Sequence, residues 1–313
     1  MRIPVVIDTD PGLDDALALM VAFASEELDI KLISTVAGNQ TVEKTTRNAA
    51  KILELGKQDI KLVKGASKPL MREPVYADDV HGDSGIGSVN LKEPNYPISL
   101  NAYKEIYDVA VQNKGELEII ALGPLTNIAN TILLYPDLKD YVKRIVLMGG
   151  GYAFGNTTPA AEFNIYADAE AAKVVFESDI PLVMVGLDAT HEAYVLEEEI
   201  DGLFTGENKT ISTLKQLMMD LVDVSKRFKF GNAHMHDLLA VVATYKPEVV
   251  EGDYHRVDIE TRGKVTYGKT VVDKYHVSQK SRNVYVTWHT DRAAFLNLLR
   301  DKFGYFNQEC FNE

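Results

Sequence analysis

The chain is almost without cysteine: its one thiol, Cys310, lies four residues from the end. That excludes an internal disulfide and a cysteine metal cluster. Basic charge is also short. Lys and Arg number 33 against 46 Asp and Glu, giving a net charge of −13. Such a balance excludes a general polyanion binder, because phosphate backbones select Lys/Arg surfaces. No apolar run reaches the roughly 18 residues of a membrane span. Met1-Arg2-Ile3-Pro4 runs straight into a short strand, with no apolar signal region of about 7–15 residues. Repeats, low-complexity tracts and linkers are lacking too. What is present is a chain of 313 residues, 46% hydrophobic and 25% charged, long enough to bury a sizeable core. The expectation is a cytoplasmic protein that meets neither membrane nor nucleic acid polymer. The open question is whether the excess acid is a diffuse solvated coat or is partly gathered in a site.

Short β-branched runs alternate with helical patterns through the first two-thirds. Ile3–Ile7, Lys31–Val36, Ile60–Val63, Leu117–Leu122, Arg144–Met148 and Leu182–Val185 read as strands. Between them, Leu13, Leu17, Met20 and Ala24 recur at helical spacing, as do Val42, Ala49 and Leu53 ahead of Gly56. A further helix begins near Pro124, and Ala169–Phe176 is another. This alternation predicts βαβ units and a mostly parallel open sheet with helices on both faces. The last third differs. Helical patterns at Leu214–Phe228 and Asp237–Tyr245 precede Arg256–Thr261, Thr270–Val272 and Asn283–Trp288, which read as extra C-terminal antiparallel strands, and a helix from Arg292 closes the chain. The whole, 1–313, reads as a single α/β domain. Ligands of open parallel sheets bind at the carboxyl ends of the strands, so those positions carry the search.

The first strand end holds four carboxylates in eight residues: Asp8-Thr9-Asp10-Pro11-Gly12-Leu13-Asp14-Asp15. Acids in a first helical turn meet the helix dipole and free N–H groups, but capping needs only one. Several together repel and shift one another's pKa unless a cation neutralises them. Hard oxygen ligands select Ca²⁺ or Mg²⁺, and several carboxylates favour Ca²⁺ with its 6–8 ligands. Other strand ends carry matching chemistry: Gly38-Asn39, Gly123-Pro124-Leu125-Thr126-Asn127, and Met148-Gly149-Gly150-Gly151 leading to Asn156, Glu162 and Asn164. A lone loop Asn is usually a turn former. Amides and acids placed repeatedly after strands suit a hydroxyl-rich ligand.

On these residues the sequence resembles the inosine-uridine-preferring nucleoside hydrolases. The specific motif is Asp8-Thr9-Asp10-Pro11-Gly12-Leu13-Asp14-Asp15-Ala16. It is joined in order by Gly38-Asn39, His81-Gly82, Gly123-Pro124-Leu125-Thr126-Asn127, Met148-Gly149-Gly150 with Glu162-Phe163-Asn164, and His236-Asp237. The resemblance implies a Ca²⁺ held by Asp10, Asp15, Asp237 and the main-chain carbonyl of Thr126. It implies that Asp14 and Asn39 bind the ribose diol, that Asn156, Glu162 and Asn164 hold the rest of the sugar, and that Met148 contacts the ribose. His81 and His236 would lie on the nucleobase side. Asp10 would deprotonate a water and His236 would act as an acid that protonates the departing base, cleaving the N-glycosidic bond through an oxocarbenium-like sugar. Adjacent residues at a helix start point about 100° apart, so His236 and Asp237 can face base and metal respectively. A role in nucleoside salvage and a homodimer or homotetramer are further implications. Family members often carry tyrosines just before the His-Asp pair. Here Phe228 and Phe230 stand in that stretch, with an extra imidazole at His234. Phe can stack a base but donates no proton, so the base preference is not fixed by these residues.

Other readings compete. Asp8-Thr9-Asp10 after an apolar strand also fits a haloacid dehalogenase-like phosphatase using Asp8 and Asp10. A non-catalytic Ca²⁺- and ribose-binding module would explain the acids, but not a donor on the leaving-group side. Gly263-Lys264-Val265-Thr266-Tyr267-Gly268-Lys269-Thr270 satisfies a phosphate-loop pattern, yet strand-like Val271-Val272 follows where a helix is required, so a β-hairpin turn is expected. His234-x-His236 lacks the further ligands that a zinc site needs.

Overall fold

A computed structural model describes residues 2–229 and 232–311. Among these, the strands are β1 (Ile3–Thr9), β2 (Leu28–Thr35), β3 (Leu62–Lys64), β4 (Ile98–Leu100), β5 (Leu117–Ala121), β6 (Val142–Met148), β7 (Leu182–Val185), β8 (Tyr194–Val195), β9 (Ala233–His234), β10 (Val250–Ile259), β11 (Thr270–Asp273) and β12 (Val284–Thr290). The helices are α1 (Leu13–Phe23), α2 (Val42–Leu55), α3 (Asp78–His81), α4 (Ala102–Asn113), α5 (Thr126–Leu134), α6 (Phe163–Ala167), α7 (Ala169–Phe176), α8 (Leu187–Thr190), α9 (Ile200–Leu203), α10 (Lys209–Arg227), α11 (His236–Tyr245) and α12 (Arg292–Gly304).

Ten strands form one sheet in the order β11-β10-β12-β7-β6-β5-β1-β2-β3-β4, and β8 pairs with β9 in a separate ribbon. From β12 to β4 every neighbouring pair is parallel. The central strands are buried on both faces, and period-2 alternation sends their successive side chains into different cores. Val5 and Ile7 of β1 join a core with α1, α2, α10, α11 and α12, while Val6 joins a core with α4, α5 and α7 on the opposite face. The chain leaves β1 toward β2, β3 and β4 on one side and later fills β5, β6 and β7 on the other. The crevice beyond the carboxyl ends of β1 and β5 is therefore the topological switch point, where ligands of such sheets bind.

The sequence pattern differs from the structure at two places. The pattern makes β12 an antiparallel addition; it is antiparallel to β10 but parallel to β7, so it continues the main sheet. The reason is that β10 runs the opposite way beside it. Neither β4, α4 nor the β8–β9 ribbon stands out in the sequence. The strands among them are only two or three residues long. Gly263–Thr270 is the expected hairpin turn, closed by a Gly268 N–H bond to Glu260 O (2.8 Å) between antiparallel β10 and β11. No helix of the described residues is long and apolar enough to cross a membrane.

Candidate active site

Asp15, in the first turn of α1, explains how β1 hands over to the helix. Its carboxylate accepts the Gly12 N–H (2.9 Å), the Asp10 N–H (3.2 Å), the Thr9 hydroxyl (2.5 Å) and the Asn39 amide (3.0 Å). So it does cap the helix, but it is not alone. Asp14, Asp15 and Asp237 each bring a ligand atom within 4.8 Å of the other two, from opposite ends of the sequence. Asp237 sits in the first turn of α11, which packs beside α1.

Burial and mutual repulsion govern the acids. The Asp14 carboxyl is pushed up to about 7 by burial and then by Asp15. Asp237 is held well above the usual range by burial, then by Asp14, Asp15 and Asp10. Asp10 is likewise raised by burial, then chiefly by Asp15. Its Oδ2 accepts the Asn39 N–H (2.6 Å), while Oδ1 is buried with no hydrogen-bond partner among the described residues. Gly38 and Gly123 pack so close to Asp10 that a methyl group on either would overlap its carboxylate oxygens. An unpartnered buried carboxylate oxygen beside three clustered acids is costly unless something positive satisfies it. The donors are all hard oxygens, which suits a divalent cation of the Ca²⁺ or Mg²⁺ kind.

Above these acids opens a cavity of about 370 Å³. Asp14, Asn39, His81, Met148, Asn156, Glu162, Asn164, His236 and Asp237 all line it. Asp10, Asp15 and Thr126 are not in its lining. The Thr126 hydroxyl turns away to Asp168 (2.7 Å), and the residue borders a far smaller recess with Ala37 and Pro124. One wall is built of side chains whose hydrogen bonds to backbone fix their free ends. Glu162 accepts the N–H groups of Gly150 (2.9 Å), Asn164 (2.8 Å) and Ile165 (3.1 Å). Burial still raises its carboxyl to about 7. The Asn164 amide donates to Leu122 O (2.7 Å) and Met148 O (3.2 Å). Asn156 Oδ1 accepts the Phe163 N–H (2.9 Å), which leaves its amide group for the cavity. Asn39 spends its amide on Asp15 and on Asp10 O (3.2 Å).

The remaining lining is apolar and aromatic: Val80, Leu221, Val224 and Phe228, with His81, His234 and His236. His81 also tethers α1, for its Nδ1 accepts the Leu13 N–H at the start of that helix (3.1 Å). Burial depresses its imidazole to about 4. His236 is held well below the usual range by burial and by the imidazoles of His234, His191 and His81. Its Nδ1 lies 2.7 Å from the Thr190 hydroxyl. His191 stacks on His234 at 4.4 Å between ring centroids and 16° between planes. Sequence reasoning reaches Phe228 but not Thr190, His191 or the aliphatic lining of Val80, Leu221 and Val224. For Thr190-His191 a signal exists, since they follow the carboxyl end of β7. Phe230 lies outside the described residues. Asp8 is fully buried and absent from the cavity lining, and its Oδ1 accepts hydrogen bonds from both Ser34 (2.5 Å) and Asn127 (2.7 Å). The stacked imidazoles of His191 and His234, with His236 beside them, bring no group of three or more metal ligands together among the described residues.

Known proteins match this chain along nearly its whole length. Residues 5–297 match the family described as inosine-uridine preferring nucleoside hydrolase. The pyrimidine-specific ribonucleoside hydrolase RihA of Salmonella enteritidis is 43% identical over 311 residues, 98% of this chain and 100% of that protein. RihA of Escherichia coli K12 is 41% identical over 310 residues, with the same coverage. Among solved structures, the purine-preferring ribonucleoside hydrolase from Gardnerella vaginalis superposes with a TM-score of 0.91 at 28% identity, covering 97% of this chain and 99% of that one. The chain therefore belongs to the inosine-uridine preferring nucleoside hydrolase family, hydrolases that act on N-glycosyl bonds.

Proposed function

We propose that this protein hydrolyses ribonucleosides to free base and ribose, with pyrimidine ribonucleosides as its preferred substrates. The observation that carries the reading is the lining of a single cavity, which joins buried acids and amides with imidazoles and apolar side chains. Pyrimidine preference rests on full-length identity of 43% to a relative of that specificity, against 28% to a purine-preferring one. The ten-stranded sheet, which runs from β1 near the start to β12 near the end, supports one domain over 1–313.

Ca²⁺ suits the donor set better than Mg²⁺, because several carboxylates and open positions match its 6–8 ligands. Asp10, Asp15, Asp237 and the Thr126 carbonyl would hold it. When bound, such a cation supplies a seat for vicinal hydroxyls and Lewis acidity that makes a nearby water easier to deprotonate. Asp10 then takes one proton from the attacking water, using the oxygen that has no hydrogen-bond partner among the described residues. The water oxygen forms the new bond to C1′ while the C1′–N bond breaks and its electron pair leaves with the base. Asp14 and Asn39 orient the diol. Glu162, Asn164 and Asn156 hold the remaining sugar edge, and the buried anions favour positive charge developing on the ribose. A nucleoside carries no phosphate, so an acidic site does not repel it.

The deciding assay incubates purified protein with uridine, cytidine, inosine and adenosine and measures reducing sugar, before and after treatment with a chelator. Release from uridine and cytidine above inosine and adenosine, lost on chelation and restored by Ca²⁺, is expected. No release from any ribonucleoside would refute the activity, and faster release from inosine would replace the pyrimidine preference.

A further inference from the structure

The short helix α8 ends in Thr190-His191, and this pair touches two imidazoles of the base-side wall. Thr190 meets His236, and His191 stacks on His234. Thr190 is fully buried. Its hydroxyl carries one proton, which must be given to an acceptor when no water can reach it. Helical threonines commonly donate to the carbonyl four residues earlier. Here no bond from the hydroxyl to that carbonyl, Gly186 O, is present among the described residues; Gly186 O accepts the N–H groups of Thr190 (3.0 Å) and Ala189 (3.1 Å). Among the described residues the hydroxyl has one partner, His236 Nδ1, at 2.7 Å. The reverse polarity, with Nδ1–H donating to Thr190, would leave a buried hydroxyl proton unsatisfied, at a cost of about 1–3 kcal/mol.

The consequence follows from the inventory of an imidazole. A ring whose Nδ1 accepts a hydrogen bond carries its proton on Nε2, because at least one nitrogen must be protonated. His236 lines the cavity, and Nε2 is the nitrogen left to face it. We propose that Thr190 is a positioning residue that fixes His236 as the Nε2–H form, aimed as a hydrogen-bond donor at the departing base. This rests on the ribonucleoside hydrolase reading of the cavity. In this form His236 stabilises charge on a carbonyl oxygen or ring nitrogen of the base as the C1′–N bond breaks. It does not surrender its own proton, since that would leave an imidazolate. The base departs as a hydrogen-bonded anion and takes its proton from solvent afterwards. The neutral imidazole is thus an electrophilic partner, in the way that a neutral histidine serves other enzymes.

The test uses the full chain. Long-range ¹H–¹⁵N spectra of the labelled protein, with His236 assigned by its loss in His236→Ala, should show a bare Nδ1 and a protonated Nε2. Thr190→Val keeps the side-chain shape and removes the donor. It should mix the two forms and lower kcat on uridine by about tenfold or more, with KM within about threefold. Against p-nitrophenyl riboside, whose leaving group is stable as an anion, the same variant should lose less than about threefold, and Thr190→Ser should restore both activities. A protonated Nδ1 in the wild type would overturn the proposal, as would equal losses on both substrates or no loss on uridine. A wild type that hydrolyses no ribonucleoside would refute the function itself, while the spectrum would still decide the form of the ring. If Thr190→Val does not fold, the wild-type spectrum and Thr190→Ser settle the matter alone.

Discussion

The two ends of the cavity are made differently. The sugar end is set by loops that follow immediately on β1, β2, β5 and β6, and its side chains are pinned by backbone hydrogen bonds. The base end is assembled from α3, the end of α10, His234 of β9 and the start of α11, segments spread across more than 150 residues. The two ends therefore tolerate different things. Strand ends are held by their neighbours on both sides in the sheet, so they fix acids and amides closely enough for chemistry. Helix ends and short loops can change their side chains without disturbing that frame, which suits the part of the site that must fit different bases. Relatives of this chain carry names of opposite base preference on one fold, as this division would allow.

The contrast can be broken most sharply at the sugar end. Asp10→Asn removes the base proposed to take the water's proton, and kcat should fall by at least about 10³-fold on every substrate, with far-UV dichroism unchanged. A near-normal rate would remove Asp10 from the chemistry. His236→Ala probes the base end. Turnover of uridine should fall by about 10²-fold, and that of p-nitrophenyl riboside by only a few fold. A loss equal on both would show that the two ends are not separable. The smallest effect concerns His81, which belongs to both ends. Its imidazole is depressed to about 4 in the folded chain, against about 6.5 when unfolded. The unfolded state therefore binds a proton first as pH falls. The stability that His81 contributes is complete above about 6.5 and is lost toward pH 4, up to about 3 kcal/mol. His81→Asn should flatten the dependence of Tm on pH in that window, and an unchanged slope would contradict the assignment.

The same contrast explains what can be read from the sequence. Parallel strands buried on both faces are unbroken apolar runs, and the rule that ligands sit beyond their carboxyl ends leads directly to Asp10, Asn39 and Glu162. Asp237 is reached only through the family resemblance, whose His236-Asp237 pair opens a late helix. The aliphatic lining is not reachable. Val80, Leu221 and Val224 follow the ordinary spacing of core residues, and only the path of the chain turns them toward the cavity. Thr190 escapes for a related reason: a threonine in a four-residue helix carries no local mark of the imidazole 46 positions away that it meets. The direction of β12 is hidden because strand polarity depends on which neighbour is reached first, and that is a property of the connection.

The close approach of Gly38 and Gly123 to Asp10 has a mechanical meaning. A carboxylate ordinarily turns about its Cα–Cβ and Cβ–Cγ bonds, and each orientation it samples must be given up when a reaction demands one of them. Here two segments of main chain stand against the two oxygens like the jaws of a vice, and the freedom to turn is lost when the protein folds. No share of that loss remains to be met when water attacks, so the rate gains what folding has already spent. Alanine at either glycine would force the jaws apart. Such a variant could keep every charged group of the site and still be slow, because the aim of one side chain would be lost.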